Sequence, residues 1–275
     1  MATNAGAPVD LAAAERKLQN VSRRHERHRR QRTVVAGELL VIAVVGAAWE
    51  LASTQSRLVP SVEATVLKLV EGIFTNGRFR YPLWVSMQVI LEGFGIAAAA
   101  AVVTGLLLGR SRFWGAVIEP ILMTFYVIPR IILYPVLLGF FGVTLTSERW
   151  MAFLSAFFPM AINAIAGVRD VNPTLTKLGR SYSCSRLQMA RKILLPSAAP
   201  ALMVGLRIGW SSAFVIVILA ELFASQGGIG LLLIQSYNLL QYETMFALVA
   251  LVCVLALVGN FALGTLERQV RAVAE

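Results

Sequence analysis

Apolar runs long enough to cross a bilayer alternate along this chain with short polar segments. A helix rising about 1.5 Å per residue needs roughly 20 apolar residues to span ~30 Å of hydrocarbon. Read in that window, the sequence predicts transmembrane helices at residues 33–51, 83–108, 113–141, 150–168, 198–224 and 244–266. Between the first two, residues 53–82 carry Val62, Val66, Leu69, Val70 and Ile73 at helical spacing, with Glu63, Lys68 and Glu71 on other faces. That pattern predicts an interfacial helix along the membrane surface. The fold class expected is an all-α integral membrane protein of about six transmembrane helices.

Composition strengthens this reading. Hydrophobic residues make up 57% of the chain and charged residues 15%, with a mean hydropathy of +0.70. Soluble domains hold about 45–50% apolar residues, and water would not tolerate the excess here. The net charge of +10 is unevenly placed, with eight Lys/Arg between Arg16 and Arg32, just before the first apolar run. No nucleic-acid recognition motif accompanies them, so the cluster reads as a topology signal with some attraction to anionic membrane lipid. With both termini cytoplasmic, inside segments hold 18 Lys/Arg and outside segments 5, leaving Arg130 and Arg207 within spans. The positive-inside rule favours that orientation. The first run reads better as a retained signal-anchor than as a cleaved signal, because its polar leader is long.

Several function classes lack their residues. Cys184 and Cys253 are too few for a disulfide framework, and one falls in a loop while the other falls in a span. His25 and His28 sit in the basic tail, without zinc-ligand spacing. No P-loop is present to hold ATP. A membrane enzyme would need converging His, Asp, Glu or Ser groups. A secondary transporter or channel, the alternative kept open, predicts inverted repeats and midplane charges; no internal repeat is visible.

Residues 169–196 (RDVNPTLTKLGRSYSCSRLQMARKILLP) form the longest predicted inside loop. Asn172-Pro173-Thr174 predicts a capped helix start. Leu175, Leu178 and Tyr182 then fall at i, i+3 and i+7 on a cationic helix. A second stretch places Leu187, Ala190, Ile193 and Leu194 on one side and ends at Pro196. Two short amphipathic helices suit a surface gripped by another protein. The alternative is that they simply lie on the lipid headgroups.

The loop resembles the coupling loop of binding-protein-dependent ABC importer permeases, which carries a Glu-Ala-Ala triplet, a later Gly and a terminal Leu-Pro. Leu195-Pro196 matches the end. Further blocks are similar to the nitrate/sulfonate/taurine branch, in order: Gly105 through Arg112; Ile128-Pro129-Arg130 with Tyr134-Pro135 and Phe140-Phe141-Gly142; Phe157-Phe158-Pro159 with Asn163 and Gly167; Glu221 with Gly228-Ile229-Gly230. The likeness covers residues 60–268. Two positions depart: Lys177-Leu178-Gly179 stands where the triplet is usual, and Ser183 where the Gly is usual. A base replacing the acid would reverse a charged contact with a partner. A degenerate member of a heterodimer, a compensating acidic groove and weak or regulatory coupling all remain open.

The resemblance implies a type I ABC importer permease fold: a basic cytoplasmic tail at 1–32, a permease domain at 33–268 with its coupling loop at about 169–196, and a cytoplasmic tail at 269–275. It implies a multi-pass subunit of the cytoplasmic membrane with no catalytic residues and no cofactor of its own. ATP would bind partner ABC ATPase subunits. The other implied partners are a second permease copy or a homologous permease, and a periplasmic or lipid-anchored solute-binding protein. Leu175, Lys177, Leu178, Gly179, Tyr182, Ser183, Leu195 and Pro196 are the expected ATPase-coupling residues. Pro129, Arg130, Tyr134, Asn163 and Glu221 are the expected pathway residues.

Three of these have competing local readings. Arg130 within a span costs roughly 2.5–3.5 kcal/mol on insertion scales. It therefore either presents charge to an anionic substrate, snorkels, or pairs with Glu119 or Glu221. Pro196 serves as a fixed bend or as an ordinary helix boundary. Glu221 serves as a gate or as packing. Finally, Gly93, Gly95, the run Ala97–Ala101 and Gly105 predict a tight helix interface, within or between subunits.

Overall fold

The computed structural model describes Gly37, Leu40, Val41, residues 43–56 and residues 58–274. The predicted tail at 1–32 and the start of the first span lie outside them. The chain divides into two units, Met1–Val62 and Glu63–Glu275. In the first, residues 43–55 are helical (α1). The chain after them turns back, with Trp49 Nε1 donating to the Pro60 carbonyl at 3.0 Å.

The rest is helical. α2 (Val62–Val70) continues into a π-turn at Glu71–Thr75, so the expected short helix is present, with Lys68 paired to Glu71 at 3.0 Å. α3 (Arg80–Leu108), α6 (Leu145–Arg169), a continuous helix Arg186–Phe223, and α11 (Tyr242–Ala274) are each long and apolar enough to cross a membrane. Counting a bent pair as one crossing gives up to five, and the start of the first predicted span lies outside the described residues, so the count is roughly consistent with about six. α11 stays helical through the expected C-terminal tail, as far as Ala274.

α6 lies at the centre, between α3 and α9 (Leu195–Phe223), and small residues set the spacing. A Cβ on Gly93 would stand 2.5 Å from Ala152 Cβ, and one on Gly105 would stand 2.5 Å from Ala164 Cβ. On the opposite side, Gly205 meets Asn163 and Gly167 meets Ala201. In lipid, such seams bring backbones together and gain dispersion contacts where no hydrophobic drive operates. The interface predicted from the small residues of the second span is therefore within this chain. Gly95, with open space beyond it, takes no part.

The predicted third span is not one helix. α4 (Arg112–Val127) stops at an extended Ile128-Pro129, a 3₁₀ turn follows at Arg130–Leu133, and α5 (Tyr134–Phe141) leaves at 86°. Pro129 removes an N–H and biases Ile128 away from helix, and Pro135 restarts the helix at its first turn. A further helix, α10 (Ile229–Asn238), lies between the last two spans. Its ten residues are too short for the window that finds spans.

Candidate functional site

The 169–196 loop folds as a clip. Asn172 caps α7 (Pro173–Ser181), its side-chain oxygen accepting from Thr174 N–H at 2.9 Å, with Pro173 at the first helical position. The helix ends in a Schellman arrangement: Cys184 N–H donates to the Gly179 carbonyl at 3.0 Å, and Ser183 N–H to the Arg180 carbonyl at 2.9 Å. The residue required in the left-handed region is Ser183, with φ of 50°. Glycine meets that demand without steric cost, which gives a physical reason for a Gly at this place.

The second helix begins at a capping box. Ser185 Oγ accepts from Gln188 N–H while the Gln188 side chain accepts from Ser185 N–H. α8 (Arg186–Met189) then passes through a π-turn at Ala190–Leu194 directly into α9. The helix expected to stop at Pro196 thus continues through it to Phe223. The wide turn accommodates the proline ring, which in a regular helix would meet the carbonyl four residues back. The added residue also rotates the helix face by about 100°. Leu187, expected beside Leu194, is exposed, and Met189 is buried in its place.

Gly179 is the contact point between the two helices. A Cβ there would stand 2.6 Å from Ile193 Cδ1 and 2.7 Å from Met189 Cε. Met189 and Leu194 join Val168, Val171 and Ala198 in a small core of their own, which ties the clip to α6 and α9. Leu175, Lys177, Leu178 and Tyr182 face outward, with Tyr182 77% and Leu178 52% exposed. Leu195 is half-buried. Leu175 and Pro196 share a groove of about 720 Å³ with Asp170, Asn172 and the Gln269-Val270 end of α11.

A second cavity, of about 810 Å³, opens at the break between α4 and α5. Pro129 and Arg130 line it, facing Ser155 of α6, an α9 stripe that includes Arg207 and Ser211, and Asn260, Glu267 and Arg271 of α11. Arg130 donates to the Tyr126 carbonyl at 2.8 Å and to the Ser155 carbonyl and hydroxyl at 3.3 and 3.0 Å. Both carbonyls lack a helical partner, one because α4 has ended and the other because Pro159 has no N–H. Neither expected carboxylate reaches Arg130. Glu119 pairs with Arg169 at 2.6 Å, and Glu221 is engaged elsewhere.

Three expected pathway residues lie away from this cavity. Tyr134 is fully buried, its hydroxyl donating to the Ala224 carbonyl at 2.6 Å. Asn163 donates to the Pro159 carbonyl at 2.8 Å and packs on Gly205. Glu221 is fully buried and accepts from Gly230 N–H at 2.7 Å in the first turn of α10. Gly230 leaves room for that approach, since a Cβ there would stand 2.6 Å from Glu221 Cβ. Gly228, with φ of 99°, lies against the carboxyl group. Each of the three bonds a backbone group.

A model of the family described as binding-protein-dependent transport system inner membrane component matches residues 94–272, well over half of the chain. The chain belongs to this family. Among similar proteins, a putative ABC transporter permease of Methanocaldococcus jannaschii is 28% identical over 226 residues, covering 80% of this permease and 85% of the relative. The taurine transport system permease protein TauC of Escherichia coli is 27% identical over 247 residues, covering 87% and 89%. In fold, the permease resembles a chain of the MetNI methionine ABC transporter in an inward-facing form, with a TM-score of 0.59 at 20% identity, covering 68% of this chain and 93% of that one. The inner-membrane, multi-pass character expected from the spans is that of the family.

Two features of the permease escape the sequence reading. Arg207, seen there as a lone base in a span, is held by Asn260 at 2.8 Å and by Glu267 at 3.5 Å, with Arg271 on Glu267 at 2.8 Å. The i, i+4 spacing of Glu267 and Arg271 was the available signal. Glu148, fully buried and bonded to Ser225 at 2.5 Å, carries no local signal at all.

Proposed function

We propose that this permease is the membrane subunit of an ATP-driven importer for a small solute of the sulfonate, taurine or nitrate type. A separate ATPase would grip it through α7 and α8. The observation that carries this is the clip: an apolar stripe at Leu175, Leu178 and Tyr182, left exposed among the described residues, on a helix locked at Gly179 to the helix that becomes α9. A force on α7 reaches the membrane through that contact and through the small core below it. In this reading both termini are cytoplasmic, ATP is bound by the partner, and the permease performs no covalent chemistry.

A second permease copy, identical or homologous, would complete the pathway, and a solute-binding protein would deliver the solute from outside. Pro129 and Arg130 would line the pathway. The solute class is supported by the name of the taurine relative and by the sequence blocks of the branch. Lys177, exposed where the family usually has an acid, calls for an acidic residue on the ATPase. Uptake by proteoliposomes holding the permease and its ATPase tests the proposal. Taurine or alkanesulfonate accumulation that requires both ATP and a solute-binding protein supports it; accumulation driven by an ion gradient without ATP rejects it.

A further inference from the structure

The cavity at the α4–α5 break contains a positive charge that no carboxylate among the described residues balances. Among the described residues, no carboxylate lies within ion-pair distance of Arg130, whereas Arg207 and Arg271 on the facing wall share Glu267. Arg130 serves two orphan carbonyls, but a neutral amide could donate to them. A full charge at that position in a span is costly, and orphan carbonyls alone do not account for it.

The donor inventory points the same way. A guanidinium has five N–H donors. Three are used, on the Tyr126 carbonyl and on the carbonyl and hydroxyl of Ser155. Nε is buried without a partner, and one N–H of Nη2 is also left over, so the guanidinium keeps its charge with donors unused. The group is also held in place, since its carbon lies 4.9 Å from the centre of the Tyr126 ring. Ser211 and Asn260 add polar groups to the wall, and about 810 Å³ is ample for a small organic solute.

We propose that Arg130 is the anchor of an intramembrane site on the permease itself, binding the charged head of a small oxyanion such as a sulfonate. This deepens the importer reading and rests on the cavity belonging to the pathway. The permease would then select its solute a second time, after the solute-binding protein.

The test uses the permease–ATPase complex in lipid nanodiscs, without the solute-binding protein, with radiolabelled methanesulfonate as the probe. Saturable binding is expected that dimethyl sulfone, its neutral counterpart, does not displace. Arg130→Gln should weaken it about ten- to a hundredfold, the effect of losing one charged hydrogen-bonding partner, and Arg130→Lys should weaken it less. Absent binding in the unaltered complex, equal displacement by the sulfone, or unchanged affinity in Arg130→Gln would each overturn the site. If Arg130→Gln fails to assemble, the comparison of sulfonate with sulfone on the unaltered complex still decides. ATPase retention is scored in the same samples. A complex that keeps its ATPase but binds no sulfonate removes this site and leaves the importer reading standing; a permease that holds no ATPase removes the importer reading.

Discussion

Gly179 and Met189 meet so closely that a Cβ on the glycine would stand 2.7 Å from Met189 Cε. Only a residue at the small end of the scale lets α7 lie on the helix that continues into α9. The contact is what makes the 169–196 loop a rigid attachment rather than a tether.

The size of residue 179 should therefore control how firmly the two helices hold together. Gly179→Leu would overpack the contact, at about 1–3 kcal/mol, and release α7. Gly179→Ala should be tolerated, because the nearest atoms are the flexible ends of Ile193 and Met189. Limited proteolysis of the loop in membranes separates the cases: the Leu variant should be cut faster, the Ala variant at an unchanged rate.

Ser183 occupies a left-handed position, with φ of 50°, which costs a non-glycine residue roughly 1–2 kcal/mol. Ser183→Gly relieves this cost but loosens the unfolded chain, so a net gain of about 0.5–1 kcal/mol is expected. A raised melting temperature of the detergent-solubilised protein would show it. A lowered one would mean that the serine side chain has a role of its own.

The long spans and the capped start of α7 were legible because each rests on neighbours in sequence: an apolar window, or Asn-Pro-Thr at a helix start. The broken span was legible in its parts, since Pro129 and Pro135 are visible, but apolar length outweighed them. The course of α8 was not legible. A π-turn depends on how Met189 and Leu194 pack beneath α7, and no local spacing reports that packing. Tyr134, Asn163 and Glu221 are pathway residues by resemblance alone, and no local spacing reports their bonds to Ala224, Pro159 and Gly230. Ser183 is the counter-case, since the position where the resemblance expects Gly is the position where the backbone demands one.

If Tyr134 holds α5 to the end of α9, its hydroxyl matters for stability and not for transport chemistry. Tyr134→Phe leaves the part-buried Ala224 carbonyl without this donor, at a cost of about 1 kcal/mol. The melting temperature should fall while uptake per folded transporter stays unchanged. Reduced uptake at full occupancy of folded protein would return Tyr134 to the pathway.

Glu221 offers a sharper contrast between two variants. Glu221→Gln keeps an oxygen that can accept from Gly230 N–H and should assemble normally. Glu221→Ala leaves that N–H unpaired beside a void and should lose assembly and uptake together. Blue native gels alongside uptake assays would distinguish this from a gating role, in which uptake would fall while assembly held.

α7 is the surface through which an ATPase would grip the permease. The direct measurement is co-purification of the ATPase in mild detergent with the unaltered permease, Leu178→Asp and Tyr182→Asp, each normalised to the amount inserted in the membrane. Both side chains are exposed, at 52% and 77%, so neither change should disturb folding. The unaltered protein should bring its ATPase with it, and both variants should lose it with insertion intact. Full retention of the ATPase by both variants would contradict the assignment.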